Sequence, residues 1–385
     1  MDEIKGVPLL DLKRQHDPLR EEVLEVFGEI WDSNWFCLGP KVKELEETLA
    51  EYSGATHGIG CASGSDALLL ALMACDVGPG DEVILPSFTF FATASAVTRL
   101  GATPVFADIK PTTFNIDPDD IAAKLSTATK AIIPVHLFGQ CAEMDRINEL
   151  AQSVGAKVIE DAAQSIGAEW NGQRAGSIGD IGCFSFYPTK NLGGAGDGGM
   201  LTACDEQLAD RLNLLRGHGM RPRYYHKEIG VNSRLDAFQA AVLIIKMRHL
   251  DRYVEMRQTN AARYATLFAQ AGLTDWLELP PEEDGRRHVW NQYVVRIGEG
   301  RRDELRAFMA EAKVGSEIYY PLGLHQQECF QYLGYSADSL PETLRAADEV
   351  LALPIFPELT AEEQERVVDR IAKYHASLGG ASRAA

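Results

Sequence analysis

The residue best suited to chemistry in this chain is Lys190, within the stretch CFSFYPTKNLGGAGDGGM at residues 183–200. The apolar run 183–187 predicts a buried strand, Pro188 ends it, and a glycine-dense loop follows at 193–199. Burial disfavours the ammonium form of lysine and makes its amine a usable nucleophile, as in Schiff-base lysines. A surface lysine at a strand-to-loop junction explains the same local pattern, so both interpretations stay open on this stretch alone.

A second candidate is the turn Ser63-Gly64-Ser65, between a predicted strand at 56–61 and a predicted helix at 66–75. Exposed backbone N–H groups, the positive end of the helix dipole and small hydroxyls together favour phosphate binding. Serine is also a common helix N-cap, so Ser65 has a purely structural explanation as well.

Two acidic residues end the apolar segment at 158–161. If the strand persists, Glu160 and Asp161 point to opposite faces, so only one of them faces a site. A buried carboxylate needs a cationic partner, which is either a protonated heteroaromatic nitrogen or an arginine elsewhere in the chain. A metal ion is the weaker interpretation, because no carboxylate–histidine cluster accompanies this pair.

An aromatic group at 87–91 follows a predicted strand at 82–86, and an aromatic ring at a strand end can stack on a planar ligand. Core packing explains such a group equally well. Taken together, however, the chain offers an amine, an acid, phosphate donors and a stacking face. These are the groups that pyridoxal phosphate requires, and the combination is far more specific than any member.

Composition sets limits on the class of protein. The 385 residues are 45% hydrophobic and 24% charged, as in an ordinary globular protein, and the net charge of −19 disfavours binding to a nucleic-acid backbone. The 7 cysteines show no metal-ligand spacing, which favours a reduced cytoplasmic chain. Residues 1–20 lack an apolar core, and the longest apolar run, 67–75, is too short to span a bilayer, so we expect neither a signal peptide nor a membrane anchor.

The elements that position these residues alternate between strand and helix from about residue 56. Near-continuous apolar strands are predicted at 56–61, 82–86, 103–108, 131–137, 157–161 and 182–187. This pattern indicates an α/β fold with a large, mostly parallel sheet covered on both faces. Long helices follow at 206–216 and 236–271, and then an α+β module with strands at 292–297 and 316–319. We predict a large domain at 1–255, with a helical N-terminal arm, a small domain at 256–385, and a disordered tail at 379–385.

With those residues in place, the sequence resembles the DegT/DnrJ/EryC1/StrS family of pyridoxal-phosphate sugar aminotransferases. The resemblance runs nearly end to end and includes SGSDALLLAL, VIEDAAQSIGA, GDIGCFSFYPTKNLGGAGDGG and GVNSRLDAFQAA. It implies the aspartate-aminotransferase fold (fold type I), a homodimer with shared active sites, and the cofactor pyridoxal 5′-phosphate.

The resemblance also implies roles for individual residues. Lys190 forms the internal aldimine and moves a proton between carbons, and Asp161 pairs with the pyridinium nitrogen. The other implied cofactor contacts are Gln164 at the ring or its phenolic oxygen, Phe90 on the ring face, Gly64, Ser65 and Ser185 at the phosphate, and Asn232 at the phosphate of the neighbouring subunit.

The implied substrates are L-glutamate, which leaves as 2-oxoglutarate, and a nucleotide-linked keto sugar. The segment at 221–241 is most similar to enzymes that aminate C3 of UDP-linked 3-oxo sugars, including 3-oxo uronic acids. Arg234 and His226 then contact the sugar from the partner subunit, and Tyr319 and Tyr320 match a sugar-contacting position. A salt bridge from Arg234 to Asp236 or to another acid, and strand packing of the two tyrosines, are the structural alternatives.

Three other functions fit less well. A dehydratase of the same fold uses the same cofactor, but some such relatives carry histidine at the lysine position. A non-catalytic regulatory protein that binds cofactor or sugar has no need of the complete set of groups. A dinucleotide-binding dehydrogenase is disfavoured because Gly58-Ile59-Gly60 lacks the third glycine of the fingerprint.

Overall fold

The structure is a computed structural model that describes residues 6–381. Its helices are α1 Leu12–His16, α2 Arg20–Ser33, α3 Pro40–Ser53, α4 Gly64–Ala74, α5 Phe91–Arg99, α6 Pro118–Lys124, α7 Met144–Val154, α8 Glu206–Leu215, α9 Ala237–Met247, α10 Leu250–Gln270, α11 Arg302–Glu311, α12 Pro341–Glu349 and α13 Ala361–Ala381. Its strands are β1 His57–Cys61, β2 Glu82–Pro86, β3 Thr103–Ala107, β4 Thr129–Ile132, β5 Lys157–Asp161, β6 Glu169–Trp170, β7 Gln173–Arg174, β8 Ile181–Ser185, β9 Gly199–Ala203, β10 Leu277–Glu278, β11 Arg286–Arg287, β12 Tyr293–Ile297 and β13 Val350–Leu353.

The largest sheet has 7 strands in the order β1-β9-β8-β5-β4-β2-β3. The ladders from β8 through β3 are parallel, whereas β9 runs antiparallel to both β1 and β8. Helices cover both faces, and apolar side chains of the central strands are buried on each side. This confirms the predicted α/β fold with a mostly parallel sheet.

The parallel strands bring their carboxyl ends to one edge of the sheet. Asp161 pairs with Cys183 in register, and Ser185 pairs with Gly199. Because β9 is antiparallel, its amino end lies at this same edge. The glycine-dense loop therefore crosses the edge where β5 and β8 end, and this edge is where open α/β sheets bind ligands.

A second core is built mainly from the C-terminal third of the chain. The sheet β10-β12-β13 packs with α10, α11 and α13 around buried residues such as Tyr264, Tyr293 and Leu351. Val7 belongs to this core and bridges to Val314, so the start of the arm packs against the C-terminal module. The predicted boundary at residue 255 falls within α10 and stays a prediction.

Four predicted elements differ from the structure. The strand predicted at 131–137 is β4, which already ends at Ile132, and beyond it Val135 makes only an isolated bridge to Asp161. The helix predicted at 236–271 is two helices, because Arg248 and His249 leave regular helical geometry between α9 and α10. The strand predicted at 316–319 does not form: Glu317 makes only an isolated bridge to Ala352. The tail predicted to be disordered is helical as far as Ala381, and 382–385 lie outside the described residues.

Candidate active site

Lys190 lies in the turn that follows β8, at the carboxyl edge of the large sheet. Its backbone N–H donates to the carbonyl of Tyr187 at 2.9 Å, which closes the turn after Pro188. The side chain is half-buried, and desolvation lowers its pKa from 10.5 to about 8, although the Asp161 carboxylate acts in the opposite direction. A substantial fraction of this amine is therefore neutral near physiological pH, as a nucleophilic lysine requires.

Asp161 ends β5 and faces the same site, with only 5% of its surface exposed. Thr93 Oγ1 donates to Asp161 Oδ2 at 2.8 Å, and the Ala163 N–H donates to Oδ1 at 3.2 Å. Burial raises the pKa of this carboxyl, while these hydrogen bonds and the nearby Lys190 lower it. The site thus holds a desolvated carboxylate that is strongly stabilised by a cation placed against it.

Glu160 points to the other face of the sheet and does not belong to the site. Its carboxylate accepts from His136 Nε2 at 2.8 Å and from the backbone N–H groups of Gly176, Ile178 and Gly179. His136 Nδ1 accepts from Ala142, so Nε2 carries the proton. The prediction that the two acids diverge is confirmed, and the cost of burying Glu160 is offset by four hydrogen bonds.

The first turn of α4 and the end of β8 together form a cradle beside Lys190. The N-cap of α4 is Ser63, whose Oγ accepts from the Asp66 N–H at 3.1 Å, so the alternative that Ser65 is the cap is wrong. Ser65 is exposed in the first turn instead. A Cβ on Gly64 would lie 2.7 Å from the Cβ of Ser185, which shows how closely this turn approaches β8. The arrangement supplies N–H donors, two serine hydroxyls and a helix dipole to an anion.

Phe90 and Gln164, the aromatic and amide residues predicted at the site, both lie beside Tyr320. Phe90 is 59% exposed and its ring centroid is 6.5 Å from that of Tyr320, whereas Phe88 is core. Gln164 Oε1 accepts from the Phe138 N–H at 2.6 Å, and the Gln164 amide hydrogen-bonds the hydroxyl of Tyr320. Phe90 therefore presents an open ring face to a planar group.

Tyr319 and Tyr320 come from the C-terminal module. Both are half-buried, and burial raises the pKa of each phenol. This segment forms no strand, but both side chains pack against the apolar cluster that contains Phe88, so the packing alternative stands beside sugar contact. Through Gln164, Tyr320 joins the cluster that Phe90 and Asp161 define.

Asn232, Arg234 and His226 are exposed, and in the part of the chain that the structure describes no hydrogen bond or ion pair links their side chains to this cluster. Arg234 has no ion pair within residues 6–381, so the predicted alternative of a bridge to Asp236 does not form. His226 Nδ1 lies 2.9 Å from the carbonyl of His218. Their predicted action across a subunit interface stays a prediction.

Two positioning residues were missed from the sequence. Thr93 holds Asp161 from 68 positions away, and Ser233 Oγ joins the Ala62 N–H to the Asp66 carboxylate at the start of α4. Thr93 lies three positions after Phe90, one helical turn into α5. This spacing from a predicted site residue is the only local feature of the sequence that could have indicated its role. Within residues 6–381 no group of three or more metal-ligating side chains is arranged to hold a metal ion.

Comparison with known proteins places this site in a family. The model of the DegT/DnrJ/EryC1/StrS aminotransferase family matches residues 17–372. The chain belongs to this family. It is 51% identical to a pleiotropic regulatory protein of Geobacillus stearothermophilus, over 96% of this chain and 99% of that protein. It is 45% identical to a UDP-N-acetyl-3-dehydro-α-D-glucosamine 3-aminotransferase of Acidithiobacillus ferrooxidans, over 95% and 97%.

Solved structures agree with the fold type I architecture. Streptomyces venezuelae DesV, in complex with a ketimine intermediate, superposes with a TM-score of 0.92 at 40% identity, covering 96% of this chain and 98% of that one. Bacillus subtilis NtdA with bound cofactor PMP superposes with a TM-score of 0.88 at 33% identity, covering 96% and 85%. This aminotransferase family thus shares the fold on which Lys190, Asp161 and the phosphate cradle are arranged.

In the described residues, no helix has both the length and the apolar character needed to cross a membrane.

Proposed function

We propose that this protein is a pyridoxal-phosphate-dependent aminotransferase that moves an amino group from L-glutamate to the C3 keto group of a nucleotide-linked sugar. The observation that carries the proposal is that Lys190, an amine whose pKa is lowered by burial, lies near enough to the buried carboxylate of Asp161 for their charges to interact. The catalytic relatives support the sugar: the 45% identical protein is named for amination at C3 of a UDP sugar.

Each predicted site residue has a separate role toward the cofactor. Bound pyridoxal phosphate supplies a carbonyl carbon that links to amines and a ring that accepts electrons. Lys190 would hold that carbon, and once the donor takes its place the neutral amine would move a proton between carbon atoms. Asp161 would keep the ring nitrogen protonated, and Phe90 and Gln164 would contact the ring. Gly64, Ser65 and Ser185 would hold the phosphate.

An amine-transfer assay tests the proposal. The purified protein is given L-glutamate with UDP-, dTDP- and GDP-linked 3-keto and 4-keto sugars, and NMR locates the new amine. We expect glutamate to be converted to 2-oxoglutarate and the product of a UDP-linked 3-keto sugar to carry the amine at C3. Amination only at C4, or transfer to none of these sugars, contradicts the proposed substrate.

Two other functions are separated by the same measurement. A dehydratase eliminates a hydroxyl from the sugar and leaves no new amine on the product, which NMR detects. A regulatory role is suggested by the name of the 51% identical relative. Binding of keto sugars without turnover across the whole panel is the result that favours regulation, whereas the lowered pKa of Lys190 is a feature that catalysis needs and binding does not.

We also expect the protein to act in the cytosol, since all 7 cysteines are free thiols.

The lowered pKa of Lys190 predicts a distinctive pH dependence for covalent capture of the cofactor. With a pKa of about 8, the neutral fraction rises about tenfold between pH 7 and pH 9 and then levels off. A lysine that keeps its ordinary pKa of 10.5 gives a rise of about a hundredfold with no plateau in that range. Stopped-flow measurement of the visible absorption band checks this, with Lys190→Ala as the blank. A rise without a plateau means that the amine is not desolvated.

If each site is shared between two subunits, two inactive variants are expected to complement each other. Lys190→Ala removes the amine, and Asn232→Asp places a negative charge where the partner's cofactor phosphate is expected. Random pairing makes half of the dimers mixed, and each mixed dimer has one intact site, so about a quarter of wild-type activity returns. The two variants are co-expressed with different tags. No recovery in purified mixed dimers shows that Asn232 does not act across the interface.

A further inference from the structure

Lys246, near the end of α9, is a buried cation that the proposed chemistry does not use. Only 1% of its surface is exposed, and burial lowers its pKa to about 8. Its Nζ donates to the carbonyl of Gly193 at 2.6 Å and lies 3.3 Å from Nε2 of His16. No carboxylate pairs with it among residues 6–381. A buried ammonium costs several kcal/mol unless it is compensated, so its main compensation is a backbone carbonyl.

The carbonyl of Gly193 belongs to the segment 188–196, which carries Lys190 and is called the Lys190 loop below. The loop is also held by three other hydrogen bonds of 2.8 Å. The Gly194 N–H donates to the carbonyl of Phe186, the Ala195 N–H donates to Gln239 Oε1, and Asn191 Nδ2 donates to the carbonyl of Val289. Gln239 and Lys246 are seven positions apart on α9, which places them on one face of the helix. One face of α9 therefore holds successive backbone groups of the loop, and Lys246 supplies the charged donor.

His16, the last residue of α1, connects this contact to the N-terminal arm. Burial and the neighbouring Lys246 lower the pKa of His16, which favours its neutral form. Because an ammonium only donates, the contact with Lys246 requires Nε2 to be the acceptor. The arm is itself fixed to the C-terminal module, since Arg14 forms an ion pair with Glu363 at 2.6 Å. The ammonium of Lys246 is thus held between the arm and the loop.

We propose that Lys246 is a positioning residue for Lys190, which it orients by holding the carbonyl of Gly193. A hydrogen bond from a charged donor is roughly twice as strong as one between neutral groups, and glycine-rich backbone needs such a restraint. The role rests on the catalytic function proposed for Lys190. Substituting Gly193 cannot test it, because a Cβ there would overlap the carbonyl of Pro188.

The test is Lys246→Met in the full-length protein. Amide hydrogen exchange of residues 188–196 is expected to become about tenfold faster without cofactor, because the loop loses its charged restraint. With pyridoxal phosphate bound, kcat is expected to fall about tenfold while KM for glutamate changes less than about twofold.

Arg257→Met is the matched control. Arg257 is a second buried cation, on α10, and its guanidinium donates to the carbonyls of Trp290 and Ile355, outside the loop. Its charge also disfavours the ammonium of Lys246, so its removal leaves that ammonium and its bond to Gly193 in place. Its loss is expected to lower the melting temperature without accelerating exchange at 188–196. If exchange there is no faster in Lys246→Met than in Arg257→Met, the positioning role is wrong.

Two further outcomes are distinguishable. If Lys190→Ala still transfers amine, the proposed function fails, while the exchange experiment still reports on the loop. If Lys246→Met does not fold, Lys246→Gln decides, since it keeps a neutral donor of similar length and removes the charge that restrains the Gly193 carbonyl. We expect exchange at 188–196 to rise about threefold in that variant, and an unchanged rate overturns the proposal.

Discussion

Replacing Lys190 by alanine is expected to lower amine transfer about 10⁴-fold or more and to abolish the visible absorption of lysine-linked cofactor. In the proposed function the same amine is both the covalent anchor and the base that moves the proton, so one truncation removes both contributions. No other described lysine is assigned to this cluster. Absorption spectra and the glutamate-dependent assay measure the two effects separately.

Lys157→Ala is the matched control for this variant. Lys157 begins β5, at the opposite end of the strand from Asp161, and pairs with Asp180 at 2.7 Å. An exposed pair of this kind contributes about 1 kcal/mol or less, so near wild-type activity is expected. If Lys190→Ala folds and retains transfer within about tenfold of wild type, the proposed mechanism is wrong.

The second large effect is expected for Asp161→Asn, which should lower kcat about 10²–10³-fold with little change in KM for the sugar. An amide has nearly the shape of the carboxylate but cannot stabilise a protonated ring nitrogen by charge. The ring then accepts electrons less well, and the proton transfer at Lys190 slows. Steady-state kinetics and NMR of the ring nitrogen in the loaded protein check the two steps.

The melting temperature of cofactor-free Asp161→Asn distinguishes a role of Asp161 at the cofactor ring from a purely structural role. Burial raises the pKa of the Asp161 carboxyl, so its ionised form opposes folding, and this penalty grows as the pH rises through that pKa. Cofactor-free Asp161→Asn is therefore expected to melt at or above the wild-type temperature at pH 7. Asp119→Asn, at an exposed ion pair with Arg146, is the control for loss of charge. Activity of Asp161→Asn within about threefold of wild type contradicts the assignment.

Much of the site could be predicted because its signals are local. The apolar run before Asp161 predicts a buried strand, and the alternation of side chains along a strand separates Asp161 from Glu160. The proline and glycines around Lys190 likewise mark a turn at a strand end. The resemblance to the aminotransferase family then gives each of these residues an expected role.

Other features depend on contacts between distant segments. The antiparallel course of β9 is fixed by pairing with β1 and β8. The start of α4 at Gly64, which makes Ser63 rather than Ser65 the cap, is held by the distant Ser233 through the Ala62 N–H and the Asp66 carboxylate. The strand predicted at 316–319 had a suitable pattern, yet pairing with β13 is limited to a single bridge at Glu317. Local propensity cannot decide such cases, since they depend on what the segment packs against.

The sequence by itself determined which side chains are the candidates for the chemistry: a lysine before a glycine loop, an acid at the end of an apolar strand, and a serine-glycine turn before a helix. Only the tertiary structure decided what holds them, as with Thr93 on Asp161 and Lys246 on the Lys190 loop. The reason is physical. A reactive group is recognised by its own type and its immediate neighbours, whereas the desolvation and hydrogen bonds that tune it come from residues far away in the chain.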